Sequence, residues 1–475
     1  MNPVFRLSLW LSLWLSLWAL LGLAPGWVSA ADTTPRPTPV TRTEMKRLLE
    51  DMKQRTPRIP LPPLTEEELK ATEKEPNARG YEGRLRNMYL PGAELRGYIN
   101  FGGSPPRRPG GPPPRFTIEP DPTVTLDYGF KTKLFWIASR ANNCQYCLGH
   151  QESKLLAVGL TDDDLGALDT NWEHFPENER AAFAFARRLT LEPHRLSDAD
   201  IDRCRKFYTD LQILEMALSV GGNNAINRWK EGVGVPQSTN GGNFGGASAE
   251  AEHSYLTPTS DKFTKAVSKV ARVPAESAGQ ALAVTALDRP QLESAEEVVQ
   301  KLEQAKLRRA RLPLASEDDT RKVLGDLVPA GPVPAWMRLL ANYPGAGLRT
   351  AKGFDATEKQ TDLDPLTRAR MAWVVARQDR AWYALGEARA RLRALGQTDT
   401  QIAALDAGGA GLAEKDQALM VVARNLAASP VVLTDVEFDR ALRLNSPRDL
   451  VQTAHYVAMR ALFDRFTEAA APPLD

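Results

Sequence analysis

Cysteine is nearly missing from this chain of 475 residues, which has only Cys144, Cys147 and Cys204. A secreted scaffold held by disulfides uses many more, in even number, so that class is excluded, and a close pair with one left over reads as a site. An excess of charge is missing too. The 60 basic and 59 acidic residues leave +1, and without residues 1–30, which hold Arg6 and no acid, the balance is neutral. Such a chain offers no electrostatic footprint for nucleic acid or an anionic membrane. Alternating β-branched runs are also lacking, which argues against a sheet. What remains is an ordinary globular composition, 43% apolar and 25% charged. Its length favours two domains over one core.

The first thirty residues read as a signal segment for export. Arg6 precedes a threefold Leu-Ser-Leu-Trp over residues 7–18, the apolar run continues to Leu23, and Val28-Ser29-Ala30 supplies small residues before a cut at Ala31. The alternative is an uncleaved anchor, since the stretch approaches spanning length. No cysteine follows the run, so lipid attachment is not expected there.

Self-similarity organises the rest. Leu49-Glu50 through Arg58-Ile59-Pro60-Leu61 returns 253 positions later as Leu302-Glu303 through Arg311-Leu312-Pro313-Leu314. Pro91-Gly92-Ala93 and Phe101 return at the same offset as Pro344-Gly345-Ala346 and Phe354. From Leu126-Asp127, answered by Leu363-Asp364, the offset is 237. The difference falls in Gly102–Pro114, a Gly/Pro/Arg/Ser run read as a surface loop or flap. Trp136, Arg140, Tyr146, Leu148, Gly149, Thr161 and Asp169 all have identical partners between Trp373 and Asp406. The chain is therefore a duplication. The expected plan is a signal segment at 1–30, a tether at 31–40, a first domain at 41–236, a second at 294–470, and between them 237–293, a flexible Gly/Asn/Ser joint followed by helix-prone material.

Periodicity is helical throughout. The expected class is all-α, each copy a bundle of six or seven helices, with helices over Glu177–Leu191, Asp198–Phe207 after a Ser197 cap, and Asp210–Val220. The stretch Asn142-Asn143-Cys144-Gln145-Tyr146-Cys147-Leu148-Gly149-His150 carries the chemistry. With Asn143 as N-cap, both cysteines would sit in a first helical turn, where the helix dipole favours a thiolate. Closing a disulfide across one turn would need Cys144 at the frayed edge. His150 lies about 60° around the helix from Cys147, near enough to relay protons, while Tyr146 points elsewhere and reads as packing. The second copy keeps Trp373, Arg377, Tyr383 and Gly386 but has Ala381, Ala384 and Glu387 in place of Cys144, Cys147 and His150. The helix is retained and its reactive atoms are gone.

From the residues alone three readings of the pair stay open: redox catalysis, a static disulfide in a binding or assembly module, and a zinc site using Cys144, Cys147, His150 and a fourth ligand. Cys204 reads as a semi-buried small residue, and His174, His194 and His253 receive no role.

Residues Leu126–Pro236 resemble the carboxymuconolactone decarboxylase / alkylhydroperoxidase D-like family, through Asn-Asn-Cys-x-Tyr-Cys with His close behind, then Asn223-Asn224-Ala225-Ile226-Asn227-Arg228-Trp229 and a closing Gly-Val-Pro. The second copy resembles the same fold without its motif. The resemblance implies an all-α fold that oligomerises through its helices, so that the chain forms a homo-oligomer or an intramolecular pseudo-dimer. In the family's redox branch the second cysteine attacks peroxide and the first resolves the sulfenic acid, roles that would fall to Cys147 and Cys144. The implied partners are a hydroperoxide or disulfide substrate and a thiol electron donor, with no cofactor or resident metal. Two positions depart from the pattern. Gln151 stands where the relay histidine belongs, with His150 one residue early, and Thr132 stands where a glutamate belongs. The relay is then completed by His150, by Gln151, or by a carboxylate from another helix such as Glu215. The decarboxylase branch, which needs no cysteine pair, is the lesser alternative.

Overall fold

A computed structural model describes residues 34–71, 80–96, 121–237, 281–284 and 291–475. The signal segment, the Gly102–Pro114 loop and most of the joint between the copies lie outside the described residues. Within them the chain is all-helical, with no strand. The first half runs α1 (Arg42–Asp51), α2 (Glu66–Ala71), α3 (Tyr81–Tyr89), α4 (Ala93–Arg96), α5 (Tyr128–Ala141), α6 (Gln145–Ala157), α7 (Asp162–Thr170), α8 (Glu177–Leu191), α9 (Asp198–Arg205) and α10 (Asp210–Val233). The second runs α11 (Ala295–Lys306), α12 (Glu317–Leu324), α13 (Ala335–Leu340), α14 (Ala346–Lys359), α15 (Pro365–Asp379), α16 (Trp382–Ala394), α17 (Asp399–Ala404), α18 (Glu414–Ala427), α19 (Asp435–Leu444) and α20 (Pro447–Ala470). No described helix is long and apolar enough to cross a membrane.

The helix punctuation repeats with the sequence. Thr161, Ser197 and Thr209 open α7, α9 and α10 with reciprocal capping boxes. Their counterparts 237 positions on, Thr398, Thr434 and Ser446, do the same for α17, α19 and α20. Each such cap satisfies orphan backbone N–H groups and is worth roughly 1 kcal/mol. The α6 and α16 ranges are related by the same offset of 237 residues, as are α10 and α20.

The two halves share one apolar core, and its centre is the long contact between α10 and α20. A Cβ at Gly221 would come within 2.6 Å of Leu462 Cδ1 and 3.2 Å of the Leu462 carbonyl oxygen, so glycine there permits the close crossing. That contact explains why α10 runs on to Val233 instead of stopping at Val220: the Gly-Gly-Asn-Asn stretch is buried against a partner helix, and tertiary packing overrides its weak propensity. The contacts between the halves are reciprocal. Arg58 pairs with Asp435 at 2.6 Å and its counterpart Arg311 with Asp198 at 2.6 Å. Arg228 donates to the Ala427 carbonyl at 2.7 Å, and Arg465 to the Thr190 carbonyl at 3.0 Å.

The supposed tether is part of the fold over residues 34–40. Arg140, fully buried, donates to the Pro39 carbonyl at 2.7 Å, and Arg36 pairs with Glu231 on α10 at 2.9 Å. A buried guanidinium needs acceptors, and this extended strap supplies them. The end of the unassigned segment does the same in the second half, where Arg377 donates to the Glu293 carbonyl at 2.7 Å.

Candidate active site

Helix α5 is capped at its start by Asp127, whose carboxylate accepts from Phe130 N, and it ends at Asn142. Asn143 then adopts a left-handed conformation, φ 58°, which asparagine tolerates better than most residues. This reverses the chain into α6, and Cys144 rather than Asn143 is the N-cap of that helix. The Cys144 carbonyl accepts from Leu148 N at 3.0 Å, the first bond of the helix. Cys147 follows in the first turn. With Cys144 just outside the helix its backbone can turn the sulfur inward, and the two Sγ atoms lie 2.9 Å apart. A disulfide needs about 2.05 Å, so bond formation asks for a small movement. The second half repeats the turn without the sulfurs: Arg380 is left-handed at φ 53° and Ala381 is the N-cap of α16.

Neither sulfur is open to solvent; Cys144 is 0% and Cys147 2% exposed. Here the expectation of a dipole-stabilised thiolate is corrected for Cys144. Burial pushes its thiol well above the usual range, and the hydrogen bond and charge of Cys147 and the Glu231 carboxylate push the same way. The carboxylate is itself secure. Burial alone would raise the Glu231 carboxyl, but Arg36 and Arg55 outweigh it and hold it at about 2. Cys144 is therefore kept as a neutral thiol.

The surroundings of Cys147 differ. Lys154 lies seven residues on, nearly in line along α6, and its ammonium stands 5.9 Å from the Phe135 ring. Burial lowers Lys154 to about 8, opposed by the attraction of Cys147. Lys154 and Cys147 thus share one stretch of α6, where burial opposes the cation and the attraction between them favours it.

His150 turns towards Tyr146. Its Nδ1 is 2.8 Å from the Tyr146 carbonyl, and because a carbonyl only accepts, Nδ1 carries the proton and Nε2 the lone pair. The two rings stack at 4.2 Å. Burial takes the imidazole down to about 4, so it is neutral near pH 7. Tyr146 also lies beneath the Lys230 ammonium at 4.3 Å, and Lys230 pairs with Glu82.

The other expected relay residues divide. Gln151 is buried on α6 one turn past Cys147, with its Oε1 lacking a hydrogen-bond partner. Glu215 does not join the site. It pairs with Lys131 at 2.7 Å and accepts from Thr125 and Leu126 N, at the start of α5, about ten residues or roughly 15 Å of helix from the cysteines. The carboxylate that does arrive from α10 is Glu231. Its signal was in the sequence, since Glu468 stands 237 positions on and pairs with Arg308 at 3.0 Å. That the cysteine-free copy keeps this clamp marks it as architecture. Thr132 donates its hydroxyl to the Tyr128 carbonyl at 2.7 Å. Cys204 is fully buried, and burial raises its thiol to about 12. Among the described residues no group of three or more His, Cys, Asp or Glu side chains could hold a metal ion, so the zinc reading finds no ligand set there.

No protein-family model and no curated protein matches the chain.

Proposed function

We propose that this chain is an exported thiol-dependent oxidoreductase in which Cys147 and Cys144 cycle between dithiol and disulfide, with a hydroperoxide as oxidant. The reading rests on one observation: two sulfurs 2.9 Å apart at a loop-to-helix junction, in the only one of two repeated junctions that has any sulfur. The chemistry balances. The Cys147 thiolate attacks the peroxide, the O–O bond breaks, and Cys147 sulfenic acid and an alkoxide result, the alkoxide taking up the proton given off when the Cys147 thiol ionised and leaving as the alcohol. Cys144 then attacks that sulfur, forming the disulfide and releasing water. Two external thiols, or one dithiol, meeting the pair from outside the closed site, return it to the dithiol and leave as the donor's own disulfide. The charges support the order of events, with the Lys154 cation along α6 from Cys147 and the Glu231 carboxylate disfavouring charge on Cys144. The resemblance to the alkylhydroperoxidase D-like family supports the same roles. The reciprocal contacts between halves support a pseudo-dimer formed within one chain, and the sequence of residues 1–30 supports action outside the cytoplasm.

Titrating the reduced chain with hydroperoxide tests this. One disulfide per chain should form, and Cys147→Ser should abolish peroxide consumption. A Cys147→Ser chain as active as the parent would end the reading. A pair that resists mild reductant and traps no sulfenic acid would favour the alternative, a binding or assembly module with a static crosslink.

A further inference from the structure

The second copy has no cysteine, yet it holds the segment that carries Cys144. The Asn142 carbonyl accepts from Val431 N at 3.4 Å, a bond from the second half to the residue two before Cys144. The Asn142 side chain donates to Asn224 and Asn227 at 2.8 and 2.9 Å. Arg228, fully buried on α10, ties these together. One guanidinium nitrogen reaches Asn224 Oδ1 at 3.0 Å and Asn142 Oδ1 at 3.4 Å. The other donates to the Ala427 carbonyl at 2.7 Å and to Ser429 Oγ at 2.6 Å, both in the second half. The hydroxyl of Ser429 also accepts from Arg465 at 3.2 Å, the counterpart of Arg228. Arg465 in turn grips Asp379 at 2.7 Å, the counterpart of Asn142. Two equivalent arginines thus meet at one serine, and only one of them leads to a cysteine.

We infer that the second copy completes the redox site: Arg228, anchored on Ala427 and Ser429, is a positioning residue that fixes Asn142–Cys144 so that the Cys144 sulfur faces Cys147. The inference rests on the proposed redox pair and adds a reason for retaining a copy without chemistry of its own. Planar, multiply bonded guanidinium suits this task, because it fixes direction as well as distance. A resolving thiol displaced by even a fraction of an ångström loses its near-attack geometry.

The test uses the full chain with Cys204→Ala and an aromatic disulfide, 5,5′-dithiobis(2-nitrobenzoate), as probe. Thiolate at Cys147 breaks the reagent's S–S bond, forms a mixed disulfide and releases one aryl thiolate. Cys144, losing its proton to solvent, then attacks the Cys147 sulfur, forms the internal disulfide and releases the second. The ratio of second to first release rates reads the alignment of the pair, whether or not peroxide is the substrate. Arg228→Gln should slow the second release about tenfold while leaving the first within about twofold. Ser429→Ala, which removes one hydroxyl and keeps the fold's apolar core, should slow it in the same direction. Arg228→Lys, a single point charge in place of a fork, should not restore it. Arg465→Gln supplies the comparison: it removes bonds to Asp379, Thr190 and Ser429 but leaves those of Arg228 to Asn142 and Ala427 in place, so it should lower the melting temperature while slowing the second release less than Arg228→Gln does. Unchanged closure in both Arg228→Gln and Ser429→Ala, or equal slowing in Arg465→Gln, would overturn the positioning role. A parent chain that releases one equivalent and stops would overturn the redox pair and this inference with it.

Discussion

Cys144 and Cys147 sit three residues apart with different charged neighbours, and the proposed roles follow that difference. The buried carboxylate of Glu231 opposes charge on Cys144, while Lys154 is drawn to charge on Cys147. Replacing Lys154 with Met removes a buried cation from the surroundings of Cys147 and should slow its alkylation near neutral pH about tenfold, whereas Lys154→Arg, which keeps the charge, should react as the parent does. The rate of alkylation in a Cys144→Ser, Cys204→Ala chain measures this, and equal rates for Lys154→Met and the parent would count against the role of Lys154. At this scale the sequence singled out Cys144, Cys147 and His150 as a set, because the second copy keeps their neighbours and loses them. It did not show which carboxylate faces them. Glu215 and Glu231 lie on one helix sixteen residues apart, and only the crossing of α5 over α10 decides that Glu231 arrives and Glu215 pairs with Lys131 instead.

Helices α6 and α16 are one element written twice, with His150 in the first where Glu387 stands in the second. Burial acts on these two groups with opposite consequences. It holds His150 at about 4, below its unfolded value, so the unfolded chain binds the extra proton and the stabilising contribution, full above pH 6.5, is lost as pH falls. It raises Glu387 to about 7, above its unfolded value, so the folded chain binds the extra proton and the contribution, full below pH 4.5, is lost as pH rises. Between those limits the two slopes oppose and mask each other in the parent. Relative to the parent, His150→Gln should gain stability as pH falls from 6.5 to 4.5, and Glu387→Gln should gain as pH rises from 4.5 to 7, each by on the order of 2 kcal/mol. Denaturant unfolding across this range checks it, and parallel curves for all three chains would contradict it. The elements were legible where the first turn carries acids or a side chain closes the cap. The Glu177–Leu191 helix and the Ser197 cap stand where acids and Ser-x-x-Asp predict them. The start of α6 was less legible: Asn143 is a good cap by type, but its left-handed backbone hands that position to Cys144.

At the scale of the whole molecule the duplication explains the shape of the site. Repeated caps, the paired long helices and the reciprocal arginines make each half cover the other, so the two cysteines are buried by contacts within one chain. The repeat itself could be read from residue identities at offsets of 253 and 237, and the all-helical class from periodicity. The strap over residues 34–40 could not, because its composition is that of an exposed tether and only the buried guanidinium of Arg140 gives it a place. Nor could the bonds of Arg228 to the second half, which join residues about 200 positions apart. The central claim is that Cys144 and Cys147 form a labile couple and not a fixed crosslink. Equilibrating the full Cys204→Ala chain in glutathione buffers and counting free thiols measures this directly. The account predicts reversible, two-electron conversion with a potential above about −300 mV; a pair that stays oxidised against excess glutathione, or stays reduced under every oxidising buffer, would contradict it.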